Sequence, residues 1–253
     1  MSPSYLKPMT GTTLRDRAIL RISGEEAKPF LQGLLTRDVM TLTEGYPRWT
    51  GLLTPQGKAL FDFILWADGE DILIDCEGGQ ADALARRLTL YRLRRKVVIA
   101  HDESRAVHWS LGAGDRPFDP RLPALGHRWL APADAGDASA AFRAHRLSLG
   151  IFEGVAELGQ DQILWLETNA EELNGVDYDK GCYVGQENTA RMHYRNKVSR
   201  RLVAVPLAQA DEKRQRAALP DLGLSVELRR VETLDPATLP AWLATAVEGQ
   251  AAE

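Results

Sequence analysis

At 253 residues the chain is long enough to bury a substantial core, as one large domain or two to three small ones. Its hydrophobic fraction of 44% and charged fraction of 26% are ordinary for a soluble globular protein. A net charge of −4 gives no reason to expect nucleic acid as the main partner. Two cysteines are too few for a disulfide framework, which favours a reducing compartment.

The apolar runs and the first residues bear on location. No apolar run approaches the roughly 20 residues that a membrane helix needs, so no membrane partner is expected. Residues 1–10 lack the apolar core of a signal peptide and the arginine-rich length of a mitochondrial presequence. We therefore expect a cytoplasmic protein of a bacterium.

Hydrophobic periodicity predicts an alternation of short strands and amphipathic helices. Apolar residues recur at helical spacing from Ala27 to Leu35, and Pro29 should distort the first turns of that helix or delay its start. Further helices are predicted at 81–91, 138–149 and from Gln186 to Met192. The predicted strands are Ala18–Ile22, Trp49–Leu53, Leu60–Trp66, Asp71–Asp75, Lys96–His101, Val107–Leu111, His127–Leu130, Arg201–Leu207 and Leu222–Val231.

The stretch from Asp179 to Arg191 holds the most chemically suggestive pattern, with a cysteine between two glycines and beside a lysine. Glycine at 181 and 185 lets the backbone turn tightly or approach a ligand closely. Cys182 lies just before the predicted helix N-terminus and two residues from Lys180, and both features favour a thiolate. A reactive or metal-binding thiol is predicted here, whereas Cys76 lies on a core strand and is predicted to be structural.

These residues also carry a family resemblance. Lys180-Gly-Cys-Tyr-Val-Gly-Gln-Glu187 resembles the signature of the folate-binding YgfZ family, relatives of the glycine-cleavage T-protein. Flanking segments are similar to the branch that contains the mitochondrial assembly factor for [4Fe–4S] proteins. They are His145-Arg146, Gly150-Ile-Phe-Glu-Gly154, Leu166-Glu-Thr-Asn169, Asn174-Gly-Val176 and Thr189-Ala-Arg-Met-His193.

The resemblance implies an α+β fold of two interlocked ferredoxin-like units around a central cleft, the T-protein (aminomethyltransferase-like) folate-binding fold. Residues 1–47 and 103–195 would form the first unit, and residues 48–102 the second. Residues 196–253 would form a shortened β-rich, barrel-like part, because only about fifty residues remain there for the small barrel that ends most family members.

The function implied by the resemblance is assembly or maintenance of [4Fe–4S] clusters in client enzymes, together with an A-type carrier protein. A cluster needs about four cysteine-type ligands, so Cys182 would share a [2Fe–2S] cluster with a partner or act as a reactive thiol. Lys180 would lower the pKa of that thiol. The loop would be shaped by Gly181, Tyr183, Gly185 and Gln186, with Glu187 and Arg191 able to pair on the following helix.

Tetrahydrofolate is the other cofactor that the resemblance implies. The cleft residues would be Asp62, Phe142, Arg17 and Ser148. Ser148 stands where many relatives have a carboxylate for the pterin edge, and a hydroxyl cannot accept two charge-assisted hydrogen bonds as a carboxylate does. Arg17 stands where some relatives have an aromatic residue, so both departures count against folate.

Two alternatives to the assembly factor remain open. One is a folate-dependent aminomethyl or one-carbon transferase that uses Asp62, and the other is a folate-responsive regulator without catalysis. Whether the chain is an enzyme is therefore uncertain, with the assembly factor favoured. Fold alone does not decide among these functions.

Two basic runs and one histidine have both a structural and a functional interpretation. The run from Arg86 to Lys96 is expected to be a solvated helix end, with an acidic-partner site as the minority interpretation. A second patch contains Arg195, Lys197, Arg200 and Arg201, where a solvated strand edge is slightly favoured over a docking surface. His193 is left evenly balanced between a satisfied polar residue and a ligand.

Overall fold

The computed structural model describes residues 11–112, 114–195 and 198–251. Its helices and antiparallel sheets confirm the predicted α+β class. The chain divides into two compact units that each collect three segments of sequence. The first contains Met1–Leu31, Val39–Trp49 and Phe63–Arg146, and the second contains Gln32–Asp38, Thr50–Asp62 and Leu147–Glu253. The three-part division predicted above stays a prediction.

The strands are β1 (Arg17–Ser23), β2 (Arg48–Leu53), β3 (Ala59–Asp68), β4 (Asp71–Glu77), β5 (Val98–His101), β6 (Ala106–Ser110), β7 (His127–Ala131), β8 (Arg200–Pro206), β9 (Gln215–Leu219) and β10 (Leu224–Arg230). The helices are α1 (Ala27–Gln32), α2 (Ala81–Arg92), α3 (Ser139–Ser148), α4 (Val155–Leu158), α5 (Gln186–Tyr194) and α6 (Ala241–Ala251). None of the helices in these ranges is both long enough and apolar enough to cross a membrane.

Every predicted strand and helix is present within a few residues of its predicted bounds, but α1 is shorter than the spacing indicated. It begins at Ala27 and ends at Gln32, whereas the apolar pattern continued to Leu35. Pro29 lies within its first turn, where backbone N–H groups have no intrahelical partner, so the missing N–H costs little. The early end leaves the backbone after Gln32 outside the helix, and this becomes important at the candidate site.

The first unit is organised around antiparallel strand pairs. Strand β1 pairs with β4 on one side and with β5 on the other, and β4 pairs in turn with the second half of β3. Helix α2, predicted at 81–91, buries Ala81, Leu84 and Leu88 on one face.

A buried ionic network lies inside this unit. Asp75 is fully buried on β4, and its carboxylate accepts hydrogen bonds from Arg17 Nε and Arg128 Nε, both at 2.7 Å. Asp119 pairs with Arg121 at 2.8 Å. Burial alone would raise the pKa of Asp119, but the guanidinium groups of Arg121 and Arg128 hold it below its usual value. Removing one partner from such a network leaves buried charge uncompensated.

The end of the second unit combines the expected sheet with an unexpected helix. Strands β8, β10 and β9 form an antiparallel sheet in that order, which agrees with the predicted β-rich character. Strand β9 and helix α6 were not predicted. Leu243 and Val247, four positions apart on α6, are buried against Val203 of β8, so the helix covers one face of this sheet.

The buried network gives the first prediction. Asp75→Asn should lower the free energy of unfolding by about 3–5 kcal/mol, because two buried guanidinium groups lose their anion. Asp71→Asn on the same strand is the matched control: Asp71 pairs with Arg21 at 2.8 Å, but both side chains are more than a quarter exposed. The control should cost less than about 1 kcal/mol. Urea unfolding measures both, and equal losses would contradict the network's role.

Candidate functional site

The cysteine loop precedes a helix, as its sequence indicated. Helix α5 begins at Gln186, and Cys182 lies on the preceding loop with its side chain exposed. Gly181 and Gly185 both have left-handed backbone conformations, with φ values of 91° and 87°. Both positions therefore favour glycine for a conformational reason.

Gly185 has a second, steric requirement. A Cβ at this position would lie 2.6 Å from the backbone oxygen of Thr54, which is too close for any real contact. Nearby, Asn188 Nδ2 donates to the backbone oxygen of Gln56 at 2.9 Å. The C-terminal end of the loop and the start of α5 are thus pressed directly onto the turn between β2 and β3. Among the residues that the structure describes, no neighbouring atom lies within 4 Å of a Cβ built at Gly181.

Lys180 fixes the other end of the loop through a reciprocal set of hydrogen bonds with Gln32. The Lys180 ammonium donates to the backbone oxygens of Gln32 at 2.6 Å and Leu35 at 2.7 Å. In return, Gln32 Nε2 donates to the backbone oxygen of Lys180 at 2.8 Å. The ammonium also lies 4.7 Å from the centre of the Tyr183 ring. We call this arrangement the Lys180–Gln32 clamp.

The clamp changes the chemistry of the lysine itself. Burial disfavours the ammonium and lowers the pKa of Lys180 to about 8, although Asp38, Asp177 and Cys182 oppose the shift. The ammonium is held by backbone oxygens, so Lys180 has a positioning role that the sequence did not reveal. Its predicted effect on the Cys182 thiol stays a prediction.

The segment 32–38 is a strap that joins the loop region to the rest of the second unit. Thr36 Oγ1 donates to the backbone oxygen of Gly175 at 2.6 Å, and the Asp177 N–H donates to the backbone oxygen of Thr36 at 2.9 Å. The Asp38 N–H donates to the Asp177 carboxylate at 2.8 Å. Sequence reasoning missed Gln32, Thr36 and Asp177 as site residues. The apolar spacing from Ala27 to Leu35 indicated only a core helix there.

The remaining signature residues, Tyr183, Gln186, Glu187 and Arg191, have different surroundings. Tyr183 is buried, and this burial raises the pKa of its hydroxyl to about 12. Gln186 contacts the loop through its backbone N–H, which donates to the backbone oxygen of Tyr183 at 3.2 Å. Within the described ranges its side chain makes no hydrogen bond to the loop, contrary to expectation. Glu187 and Arg191 form no ion pair there either; both are exposed, where such a pair contributes little.

His193, on α5, belongs to a small polar and aromatic cluster with Glu171 and Tyr178. Its Nδ1 lies 2.8 Å from a Glu171 carboxylate oxygen, and its ring stacks on Tyr178 with centroids 3.7 Å apart. Tyr178 donates to the other Glu171 oxygen at 3.0 Å. The histidine is therefore a satisfied polar residue through Nδ1. No group of three or more potential metal ligands occurs among the residues that the structure describes.

The second basic patch is mainly structural. Arg200 pairs with Glu167 at 2.8 Å, and buried Arg201 pairs with Glu172 at 2.6 Å and with the Asn169 side chain. The prediction of a solvated edge or a docking surface is therefore wrong for Arg201, which is buried. Lys197 lies outside the described residues, and Arg195 is exposed.

The four folate candidates have different surroundings and are divided between the two units. Arg17 is engaged with Asp75, and Phe142 is buried against Trp109 with ring centroids 5.3 Å apart. Both belong to the first unit. Asp62 is buried in the second unit and accepts a hydrogen bond from the Gly154 N–H at 2.8 Å; Ser148, also there, is exposed. Arg17 and Phe142 thus make packing and ionic contacts within their unit, and all four folate assignments stay predictions.

Comparisons with known proteins place this geometry in context. The chain is 30% identical over 219 residues to the mitochondrial iron–sulfur cluster assembly factor IBA57 homologue of Pyricularia oryzae, covering 76% of this chain and 56% of that protein. It is 33% identical over 233 residues to the mitochondrial assembly factor IBA57 of Homo sapiens, covering 76% and 65%. The chain thus spans between about half and two-thirds of the length of these relatives. No family model matches the sequence.

The fold has a counterpart among solved structures. The glycine cleavage system aminomethyltransferase T from Bartonella henselae matches with a TM-score of 0.65 and 15% identity, over 87% of this chain and 78% of that one. The family resemblance and the T-protein fold predicted from the signature are both confirmed. The predicted bacterial cytoplasmic location is wrong, because the curated relatives are named as mitochondrial proteins.

The loop glycines give a matched pair of predictions. Gly185→Ala should lower the free energy of unfolding by more than about 2 kcal/mol, because left-handed strain is added to a clash with Thr54. Gly181→Ala has the same strain without the clash and should cost about 1–2 kcal/mol. Urea unfolding of both variants measures the difference, and an equal or larger loss for Gly181→Ala would contradict the close packing at Gly185.

The shifted pKa of Lys180 predicts a pH dependence. The folded-state pKa of about 8 lies below the value of 10.5 for a free lysine, so the unfolded chain binds more protons between these values. Wild type should therefore gain stability relative to Lys180→Met as pH rises from about 8 to 10.5. Urea unfolding at several pH values tests this, with Lys213→Met at an exposed position as control. A flat difference between wild type and Lys180→Met would refute the burial argument.

Proposed function

We propose that this chain, which is similar to iron–sulfur cluster assembly factors, assists the assembly or maintenance of [4Fe–4S] clusters in client proteins. Cys182 would be its cluster ligand or reactive thiol, with an A-type carrier as partner. The names of the curated relatives support this function. The observation that carries it in the structure is an exposed cysteine on a loop fixed at both ends, by the Lys180–Gln32 clamp and by Gly185.

The number of available thiols determines the type of chemistry. The sequence has two cysteines, and Cys76 is buried on β4 with its Sγ 3.7 Å from the backbone oxygen of Ala18. Because a cluster needs about four protein ligands, Cys182 would supply one and a partner the others. In this proposal the cluster is cargo that passes between proteins, and the loop presents a single thiolate to it.

Rigid presentation would serve such a transfer. A ligand offered to a partner's cluster binds more tightly when its position is set beforehand, since less conformational entropy is lost on binding. Backbone hydrogen bonds to Lys180 and close packing at Gly185 remove that freedom from both sides of Cys182. The proposal assigns no step to tetrahydrofolate, because Arg17 and Phe142 are engaged within the first unit.

The decisive experiment mixes the reduced protein anaerobically with a [2Fe–2S]-loaded A-type carrier, followed by visible absorption, circular dichroism and gel filtration. Wild type should form a complex with an altered cluster spectrum. Cys182→Ala should abolish that species. Cys76→Ala is the matched control and should retain it, because the buried thiol cannot reach a partner's cluster.

The opposite outcome is equally clear. If wild type and Cys182→Ala give the same spectrum and neither forms a complex, the ligand assignment fails. Saturable tetrahydrofolate binding with turnover that survives Cys182→Ala would instead favour the transferase alternative.

A further inference from the structure

The surface of helix α2 carries an unusual combination of charge and apolar side chains. Arg86, Arg87 and Leu90 share one outer stripe of the helix, at spacings of three and four residues. Leu93 and Arg94 follow directly after its last residue, Arg92. All five side chains are exposed, and we call this set the α2 patch.

The basic run is divided between paired and unpaired cations. Arg95 lies 3.8 Å from Glu26, Lys96 pairs with Glu25 at 3.0 Å, and Arg92 donates to the backbone oxygen of Val97 at 3.2 Å. Arg86, Arg87 and Arg94, by contrast, have no ion pair or side-chain hydrogen bond within residues 11–112, 114–195 and 198–251. The patch therefore holds three cations that are available to a partner, on a chain of net charge −4.

The leucines are the second, independent observation. Leu90 is 71% exposed and Leu93 is 84% exposed, both far more than the side chains of the helix's buried face. Leu93 also has a φ of 51° and a ψ of −117°, a conformation that is unfavourable for a residue with a Cβ. Glycine would relieve that strain. Leu90 and Leu93 therefore add exposed apolar surface beside the arginines, which a partner can cover.

We propose that the α2 patch is a docking surface for an acidic segment of a partner protein. Carboxylates of that segment would pair with the three unpaired arginines, whose forked guanidinium groups suit bidentate contact with carboxylate. Leucine-sized side chains between the carboxylates would cover Leu90 and Leu93. Arginine is also the cation that protein interfaces use most often at energetically important positions.

The composition of the patch favours a protein segment over other anions. The α2 patch presents two leucines between its arginines, and none of its five side chains is an aromatic ring on which a base could stack. Two leucines form a smaller apolar face than amphipathic helices use to lie in a membrane interface. The surface lies in the first unit and Cys182 in the second, so its failure and that of the proposed function are separable.

The test uses the full chain and a fluorescein-labelled peptide of about 18 residues, with glutamate and leucine at helical spacing. Fluorescence anisotropy measures the binding at about 50 mM salt. Arg86→Glu/Arg87→Glu should weaken binding at least about tenfold. The control Lys213→Glu/Arg216→Glu makes the same change in net charge in the second unit and should leave affinity within about twofold. Melting temperatures confirm that each variant is folded.

Leu93→Gly separates docking from folding. It should lower peptide affinity several-fold while raising the melting temperature, because glycine removes the strain together with the apolar contact. A peptide with serine in place of leucine should bind about tenfold more weakly. The proposal is overturned if the control variant loses as much affinity, or if the serine peptide binds equally well. It is also overturned if phosphatidylglycerol vesicles bind the patch more tightly than the peptide does.

Discussion

The Lys180–Gln32 clamp is the interaction on which the arrangement of the cysteine loop depends. A lysine placed among backbone oxygens loses hydration, and two hydrogen bonds of 2.6 and 2.7 Å offset that cost. The lowered pKa of Lys180 is the trace of this desolvation. Because Gln32 donates in return to the Lys180 backbone, the position of the loop depends on a segment almost 150 residues earlier in the chain.

The early end of α1 makes this clamp possible. Carbonyls in a helix interior accept from the helix's own N–H groups, whereas those in the last turn and beyond it remain available to a cation. Helix α1 ends at Gln32, so the oxygens of Gln32 and Leu35 can both accept from Lys180. Thr36 and Asp177 then extend the same contact, so that the strap and the loop are held as one structure.

The local predictions that succeeded depend on neighbouring residues, whereas the features that were missed depend on contacts between distant segments. Helix α5 and the glycines were predictable because helix starts and left-handed turns restrict residue type locally. The spacing of Leu243 and Val247 is helical and was a sequence signal for α6. The packing of that helix depends on Val203, which lies on strand β8 about forty residues earlier. The burial of Arg201 was not predictable, because its partners Asn169 and Glu172 are about thirty residues away along the chain.

The sequence by itself determined the family resemblance, the α+β class and the glycine-rich loop that carries Cys182, since these depend on local residue types and a contiguous signature. Only the tertiary structure decided which groups hold that loop, and that Arg17 and Phe142 are buried in structural roles. It also decided which cations of the α2 run are unpaired. Those outcomes depend on contacts between distant segments. The spacing of residues along one strand or helix does not indicate which distant carbonyl or carboxylate will lie beside a given side chain.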